Sequence, residues 1–188
     1  RDHGGDGALG DTHGAPLQRD DDELRLREEF LHHQIEPLVI GLVQGGIDLV
    51  EYIYRAEEAQ HGHSRAAVDA HVGEMWTLMT QGIERGLAAS GVLPGSLALE
   101  RRARSLYGRF LEQLPRFHVL SPEASLVSIY AIAAAEENAA GGTVVTAPTC
   151  GSCGVVPACL RVVGEKKGLR TDEIHGALLV AGLIGGII

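Results

Sequence analysis

SRAAVDAHVGEMWTLMTQGIERGLAASG, residues 64–91, is the stretch whose reading decides the fold. Val68, Val72, Met75, Trp76, Met79 and Ile83 recur three and four residues apart, which gathers them on one face of a helix and does not fit the two-residue period of a strand. Ser64 stands where an N-cap hydroxyl belongs, and Gly91 lies just past the expected end near Ser90. A helix this long with one apolar face needs helical or sheet partners to cover it.

The flanking sequence offers helices. Upstream, Leu24, Leu31, Ile35, Leu38, Leu42, Ile47, Val50 and Ile53 keep the helical spacing, with Pro37 and the pair Gly45-Gly46 dividing the run. Downstream, Leu93-Pro94-Gly95 is turn chemistry, and Leu97 to Leu114 is expected to be a helix made basic by Arg101, Arg102, Arg104 and Arg109. That basic side reads either as a solvated face or as a contact for an anion or partner. Ser121-Pro122-Glu123 supplies N-cap, first helical position and first-turn acid for a helix through Leu126, Ile129, Tyr130 and Ala133 to about Ala140, ended by Gly141-Gly142. Thr143 to Thr146 suits one short extended segment, but too few other strand-like runs exist to build a sheet around it. Val155 to Lys167 and Thr171 to Ile188 read as two more helices, with Gly168 between them and Thr171 as the cap of the second. The expected fold is all-α, a multi-helix domain over residues 23–188 preceded by an arm, 1–22, whose Gly, Asp and lack of apolar period mark it as a flexible linker or disordered segment.

Bulk properties narrow the function. With 45% hydrophobic residues the 188-residue chain can build a core, and 25 Gly against only 4% aromatics favours helices that approach closely through small side chains. A formal charge of −9 argues against a nucleic-acid surface, which needs Lys and Arg in excess. Cys150, Cys153 and Cys159 are an odd number packed into ten residues, unlike a secreted disulfide framework, so a cytoplasmic location is expected. No signal peptide opens the sequence. The apolar tail Ala177 to Ile188 is interrupted by Gly182, Gly185 and Gly186 and is shorter than the roughly 20 residues of a membrane span, so it reads as a buried helix. With Arg1 at one end and this unfinished apolar pattern at the other, the chain reads as a fragment.

Chemistry concentrates in Thr146-Ala147-Pro148-Thr149-Cys150-Gly151-Ser152-Cys153-Gly154, a loop of hydroxyls, thiols and glycines that ends where a helix begins. Unpaired N–H groups at a helix start can hold a carboxylate or lower the pKa of a nearby thiol. Thr146, Thr149, Cys150 and Ser152 are therefore candidate catalytic residues, joined by Asn138, which with Glu136 and Glu137 forms a polar step before the glycine pair. Those three residues are either a solvated helix end or turn inward to orient the loop or a substrate ammonium group. Cys150 and Cys153 are candidate cofactor-binding residues. Their Cys-x-x-Cys spacing admits a redox pair, half of a zinc site, part of an iron–sulfur site, or two small residues in a tight turn. Cys159, with Val155, Val156, Leu160 and Val163 around it, is expected in the core, while His32, His33, His61, His63 and His175 are expected to face solvent.

The segments Glu136 to Gly142, Val144 to Thr149, Gly151, Gly154 and Pro157-Ala158, together with Leu93-Pro94-Gly95, Arg101-Arg102-Ala103 and the helix Ser64 to Leu87, resemble the alpha domain of bacterial iron–sulfur L-serine dehydratases over about residues 47–188. The resemblance implies an L-serine ammonia-lyase of amino-acid catabolism and gluconeogenesis. Its [4Fe–4S] cluster would be held by three cysteines beyond Ile188, so no metal ligands are assigned here. It also implies a beta domain or subunit as partner, a homo-oligomer, and an inactive isolated fragment. Many members carry Asn and Ala where this chain has Cys150 and Cys153, which makes the loop a substrate-facing helix entrance, with Thr149, Gly151 and the helix-start amides holding the amino acid. An L-cysteine desulfidase and a non-catalytic helical accessory subunit are the alternatives.

Overall fold

A computed structural model describes residues 48–113, 121–146 and 150–187, all in the unit Gly41–Ile188. The expectations for the arm 1–22, for the helical run before Asp48, and for Thr149 lie outside the described residues. Among those described there are six helices and no strand: α1 Leu49–His61, α2 Arg65–Ala88, α3 Ala103–Gln113, α4 Pro122–Ala139, α5 Val155–Lys167 and α6 Thr171–Ile187.

The ends follow the expected chemistry. Ser64 Oγ accepts from Ala67 N–H at 3.3 Å and Ser121 Oγ from Ala124 N–H at 3.1 Å, so each hydroxyl satisfies one of the free donors at its helix start. Asp48 caps α1 in the same way through Glu51 N–H at 2.9 Å. At the start of α6 the hydroxyl is not the cap: Thr171 is already helical, and Glu173 reaches back to accept from Arg170 N–H at 2.8 Å.

One expected helix is shorter than its sequence suggests. Leu97 to Arg102 is not helical, because its backbone groups are used by a tight excursion: Val92 and Glu100 form an antiparallel bridge, Leu93 N–H donates to Leu99 O at 2.7 Å, and Arg101 N–H donates to Gly91 O at 2.8 Å. The excursion leaves Leu97 and Leu99 exposed and delivers Arg101 inward.

Helix α4 is the centre, packed by α2, α3 and α5. Its apolar residues Leu126, Ile129, Tyr130, Ala133 and Ala134 join Ile83 of α2, Ala103 and Phe110 of α3, and Ala158 and Val162 of α5 in one core. A second cluster, Val68, Val72 and Leu178 with Trp76, Met79 and Leu179 beside it, joins α2 to α6. Burying each side chain of Leu or Ile size contributes about 1.5–3 kcal/mol. Bulk is not what sets the spacing, however. A Cβ on Gly86 would lie 2.1 Å from the carbonyl oxygen of Ala133, and one on Gly154 would lie 2.4 Å from that of Ala131. Glycine at both positions lets the backbones of α2 and of the α5 start touch α4 directly.

Two burial expectations are overturned. Cys159 is exposed, as are Val155, Val156 and Val163, because α5 buries the face that carries Pro157, Ala158 and Val162. The close approach at Gly154 brings the start of α5 against α4, and the face that carries Val155, Cys159 and Val163 is left outside. His175 does not face solvent: its side chain is 12% exposed, its ring would meet a Gly73 Cβ at 3.4 Å, and its Nδ1 stands 3.7 Å from Asp69 Oδ1. Asp69 also accepts a hydrogen bond from the Tyr54 hydroxyl, so α1, α2 and α6 meet at one carboxylate.

Candidate functional site

The last turns of α4 explain how the loop is held. Leu126, Tyr130, Ala133 and Glu137 lie on one stripe of the helix, as do Ile129, Ala133 and Glu136, so the packing that buries the first residues of each stripe also buries its carboxylate. Buried carboxylates need partners. Glu136 Oε1 accepts from Arg102 N–H at 2.7 Å and from Ala103 N–H at 3.3 Å, which caps the start of α3 from another helix. Glu137 is clasped by two cations, Arg85 Nε to Oε2 and Arg101 Nη1 to Oε1, each at 3.0 Å. Arg85 also donates from Nη2 to Thr143 O at 2.7 Å, and Glu137 O accepts from Gly142 N–H at 2.8 Å. Asn138 Nδ2 donates to Cys150 O at 3.2 Å.

Three consecutive side chains thus fix three places: the start of α3, the first residues of the loop, and its return at Cys150. The glycine pair has two separate tasks. Gly141 takes φ +77°, which turns the chain out of the helix, while a Cβ on Gly142 would sit 2.8 Å from Glu137 Oε2.

Beyond Cys150 the chain turns into α5. Cys153 N–H donates to Cys150 O at 3.3 Å and Val155 N–H to Ser152 O at 3.0 Å, with Gly154 as an N-cap that has no side chain to offer. Pro157 has no N–H, and Ala158 N–H is already bonded to Gly154 O, so among the described residues the first turn of α5 offers an anion little beyond Val156 N–H. Beside it lies a cavity of about 180 Å³ lined by Val145, Ser152, Cys153, Val156 and Pro157 on the loop side and by Met75 and Met79 of α2 opposite. Among the described lining residues, Ser152 brings a hydroxyl and Cys153 a thiol. Burial pushes the Cys153 thiol pKa up, and the nearby Cys150 adds to the shift, so the helix start does not make Cys153 a thiolate.

Of the candidates named from sequence, Asn138 and Cys150 are brought together, and Ser152 and Cys153 share the cavity. Thr146 is exposed, at the edge of the described loop. Arg85 and Arg101 were missed as site residues. The signal for them was present in the Leu126–Glu137 stripe, because a carboxylate continuing an apolar face calls for a buried cation.

The family described as serine dehydratase alpha chain matches residues 44–188. The chain belongs to this family. The L-serine dehydratase of Haemophilus influenzae is 39% identical over 159 residues, 84% of this chain and 34% of that protein. L-serine dehydratase 2 of Escherichia coli is 38% identical over 126 residues, covering 66% and 28% respectively. That of Streptomyces coelicolor is 41% identical over 113 residues, covering 60% and 24%. The chain therefore spans about a quarter to a third of the length of these curated relatives.

An iron–sulfur cluster, implied by resemblance to this family, does not fit the described residues. No group of three His, Cys, Asp or Glu among them could hold a metal ion. Cys153 is buried, whereas Cys150 and Cys159 are exposed, the latter on the outer face of α5. What these residues of the serine dehydratase alpha chain do build is a loop anchored at both ends. No described helix is long and apolar enough to cross a membrane.

Proposed function

We propose that this chain forms the alpha-type part of an L-serine ammonia-lyase, which deaminates L-serine to pyruvate and ammonia, and that the loop 143–154 faces the substrate. The observation carrying this reading is the anchoring by Glu137 and Asn138: two buried or half-buried polar side chains hold the described ends of the loop. Fixed loops of this kind suit a site where reacting groups must be held in place. The L-serine dehydratase names of the relatives supply the substrate class.

In this reading Thr146, Thr149 and Ser152 offer hydroxyls to the amino acid, Val156 N–H donates to its carboxylate, and Asn138 and Cys150 keep the loop in register. Met75, Met79 and Val145 form an apolar wall beside Ser152, where a hydrogen bond to a carboxylate is stronger than in water. The cluster would be bound by residues outside those described, with Cys150 and Cys153 in the substrate loop. A beta domain or subunit, self-association and a cytoplasmic setting complete the proposal, and the fragment alone is expected to be inactive.

The test is anaerobic reconstitution of the full-length protein with iron and sulfide, followed by pyruvate assays on L-serine and L-cysteine. Turnover of L-serine with iron incorporated is expected. Turnover of L-cysteine alone would replace the reading with a desulfidase, and turnover of neither would leave a non-catalytic helical subunit.

A further inference from the structure

We propose that Cys150 and Cys153 are a thiol–disulfide exchange site, a modification site at the mouth of the loop that takes small-molecule disulfides and closes to an internal disulfide. Three observations carry it. The first is spacing: Cys153 N–H bonds to Cys150 O at 3.3 Å, the i to i+3 bond of a β-turn. Such a turn keeps its end Cα atoms within about 7 Å, against the roughly 4.4–6.8 Å that a disulfide spans. The second is anchoring, since Asn138 holds the carbonyl of Cys150 at 3.2 Å and Gly154 seats the other end against Ala131. The third is asymmetry: Cys150 is exposed, whereas Cys153 is 8% exposed and lines the cavity with Ser152.

The asymmetry assigns the order of steps. The Cys150 thiolate attacks one sulfur of the incoming disulfide, forming a mixed disulfide and releasing one small thiolate. Cys153 loses its proton to solvent or to that thiolate and attacks Cys150 Sγ, releasing the second. Two protein thiols are oxidised and one small disulfide is reduced to two thiols. Burial, which raises the Cys153 pKa, suits the later, resolving role, because an unassisted buried thiol is a poor first attacker. Cys159 takes no part, since it lies on the outer face of α5. Formation of the bond does not depend on the catalytic reading, so the two can fail separately.

The test is disulfide mapping by mass spectrometry on the intact protein. The protein is equilibrated with oxidised and reduced glutathione at a series of ratios, then alkylated. The expected result is a Cys150–Cys153 link that grows as the ratio becomes oxidising, with Cys159 outside it, alkylated or carrying glutathione, and helical circular dichroism unchanged. Cys153→Ser should retain glutathione on Cys150, and Cys150→Ser should leave Cys153 alkylated. Alkylation of both Cys150 and Cys153 at the most oxidising ratio would overturn the proposal, as would a stable glutathione adduct on Cys150 in the unsubstituted protein. The unsubstituted protein decides the matter if either variant fails to fold.

Discussion

Ala131 and Ala133, in the middle of α4, meet the backbone of other segments directly, whereas Glu136, Glu137 and Asn138, at its end, meet cations, amides and a carbonyl. Both halves are closely packed, but by different means. The middle is a dry seam where an added methyl group has nowhere to go. The end is a set of charge-assisted hydrogen bonds whose geometry sets where the loop runs. The first arrangement fixes whether the helices pack; the second fixes where loop atoms stand once they have packed.

The largest effect that would break this contrast is on the seam. Gly86→Ala puts a Cβ 2.1 Å from the Ala133 carbonyl oxygen, so the two helices must separate. A loss of about 3 kcal/mol is expected in urea or thermal unfolding, at the upper end for overpacking. Gly108→Ala, in α3 with open space around it, is the control and should gain about 0.5–1 kcal/mol from helix propensity. Equal stability of the two variants would remove the seam.

At the polar end, Glu137→Ala strands Arg101, whose side chain is 10% exposed, while the 41% exposed Arg85 can turn to water. The expected cost is about 2–3 kcal/mol, below the full value for a buried pair because one partner is half open. The feature that distinguishes it from a seam variant is local: amide exchange at Gly142 and Thr143 should accelerate more than in α2. Uniform acceleration throughout the domain would mean that Glu137 is only a packing residue.

Tyr130 of α4 and Tyr54 of α1 test burial through pH. Burial pushes both phenols up to about 12, with Glu165 adding to the effect at Tyr130 and Asp69 at Tyr54. Because the folded state disfavours tyrosinate, their contribution to stability is intact below the ordinary tyrosine pKa near 10 and is lost as pH rises toward 12. In an ultraviolet titration of the intact fold, two of the chain's four tyrosines should ionise only near that upper limit. All four ionising together near pH 10 would contradict the burial.

Asn138→Ala is a smaller perturbation. It should cost about 1 kcal/mol or less in stability, yet lower turnover of the full-length enzyme roughly tenfold if the loop position matters for chemistry. Unchanged kcat with unchanged KM would detach the anchor from the site.

Much of this contrast was legible in the sequence. The period of Leu126, Ile129, Tyr130 and Ala133, and the caps Ser64 and Ser121, lead to α2 and α4 within a residue or two, because local capping and spacing decide those elements. The stripe also carries Glu136 and Glu137 into the interior, but not the identity of their partners. Arg101 reaches Glu137 only through the bridge between Val92 and Glu100, a non-local pairing that looks like continuous helix when propensity alone is read. Helix α5 was misread for a related reason. Hydrophobicity alone does not separate its Val155, Val156, Cys159 and Val163 from Pro157, Ala158 and Val162; the approach of Gly154 to Ala131 decides which of them meet α4.

That misreading gives the smallest prediction. In the interior, Cys159→Ala would open a cavity costing on the order of 1 kcal/mol, but Cys159 is exposed on the outer face of α5. The expected change is therefore within about 0.5 kcal/mol, as for surface substitutions away from special features. Cys153→Ala, removing a buried thiol beside Pro157, should cost more, about 1 kcal/mol. The order of these two values, read by chemical denaturation of the same preparation, reports whether the Cys159 face of α5 is turned outward. A larger loss for Cys159 would place the face of Val155 and Val163 in the core and withdraw the packing of Ala158 and Val162 against α4.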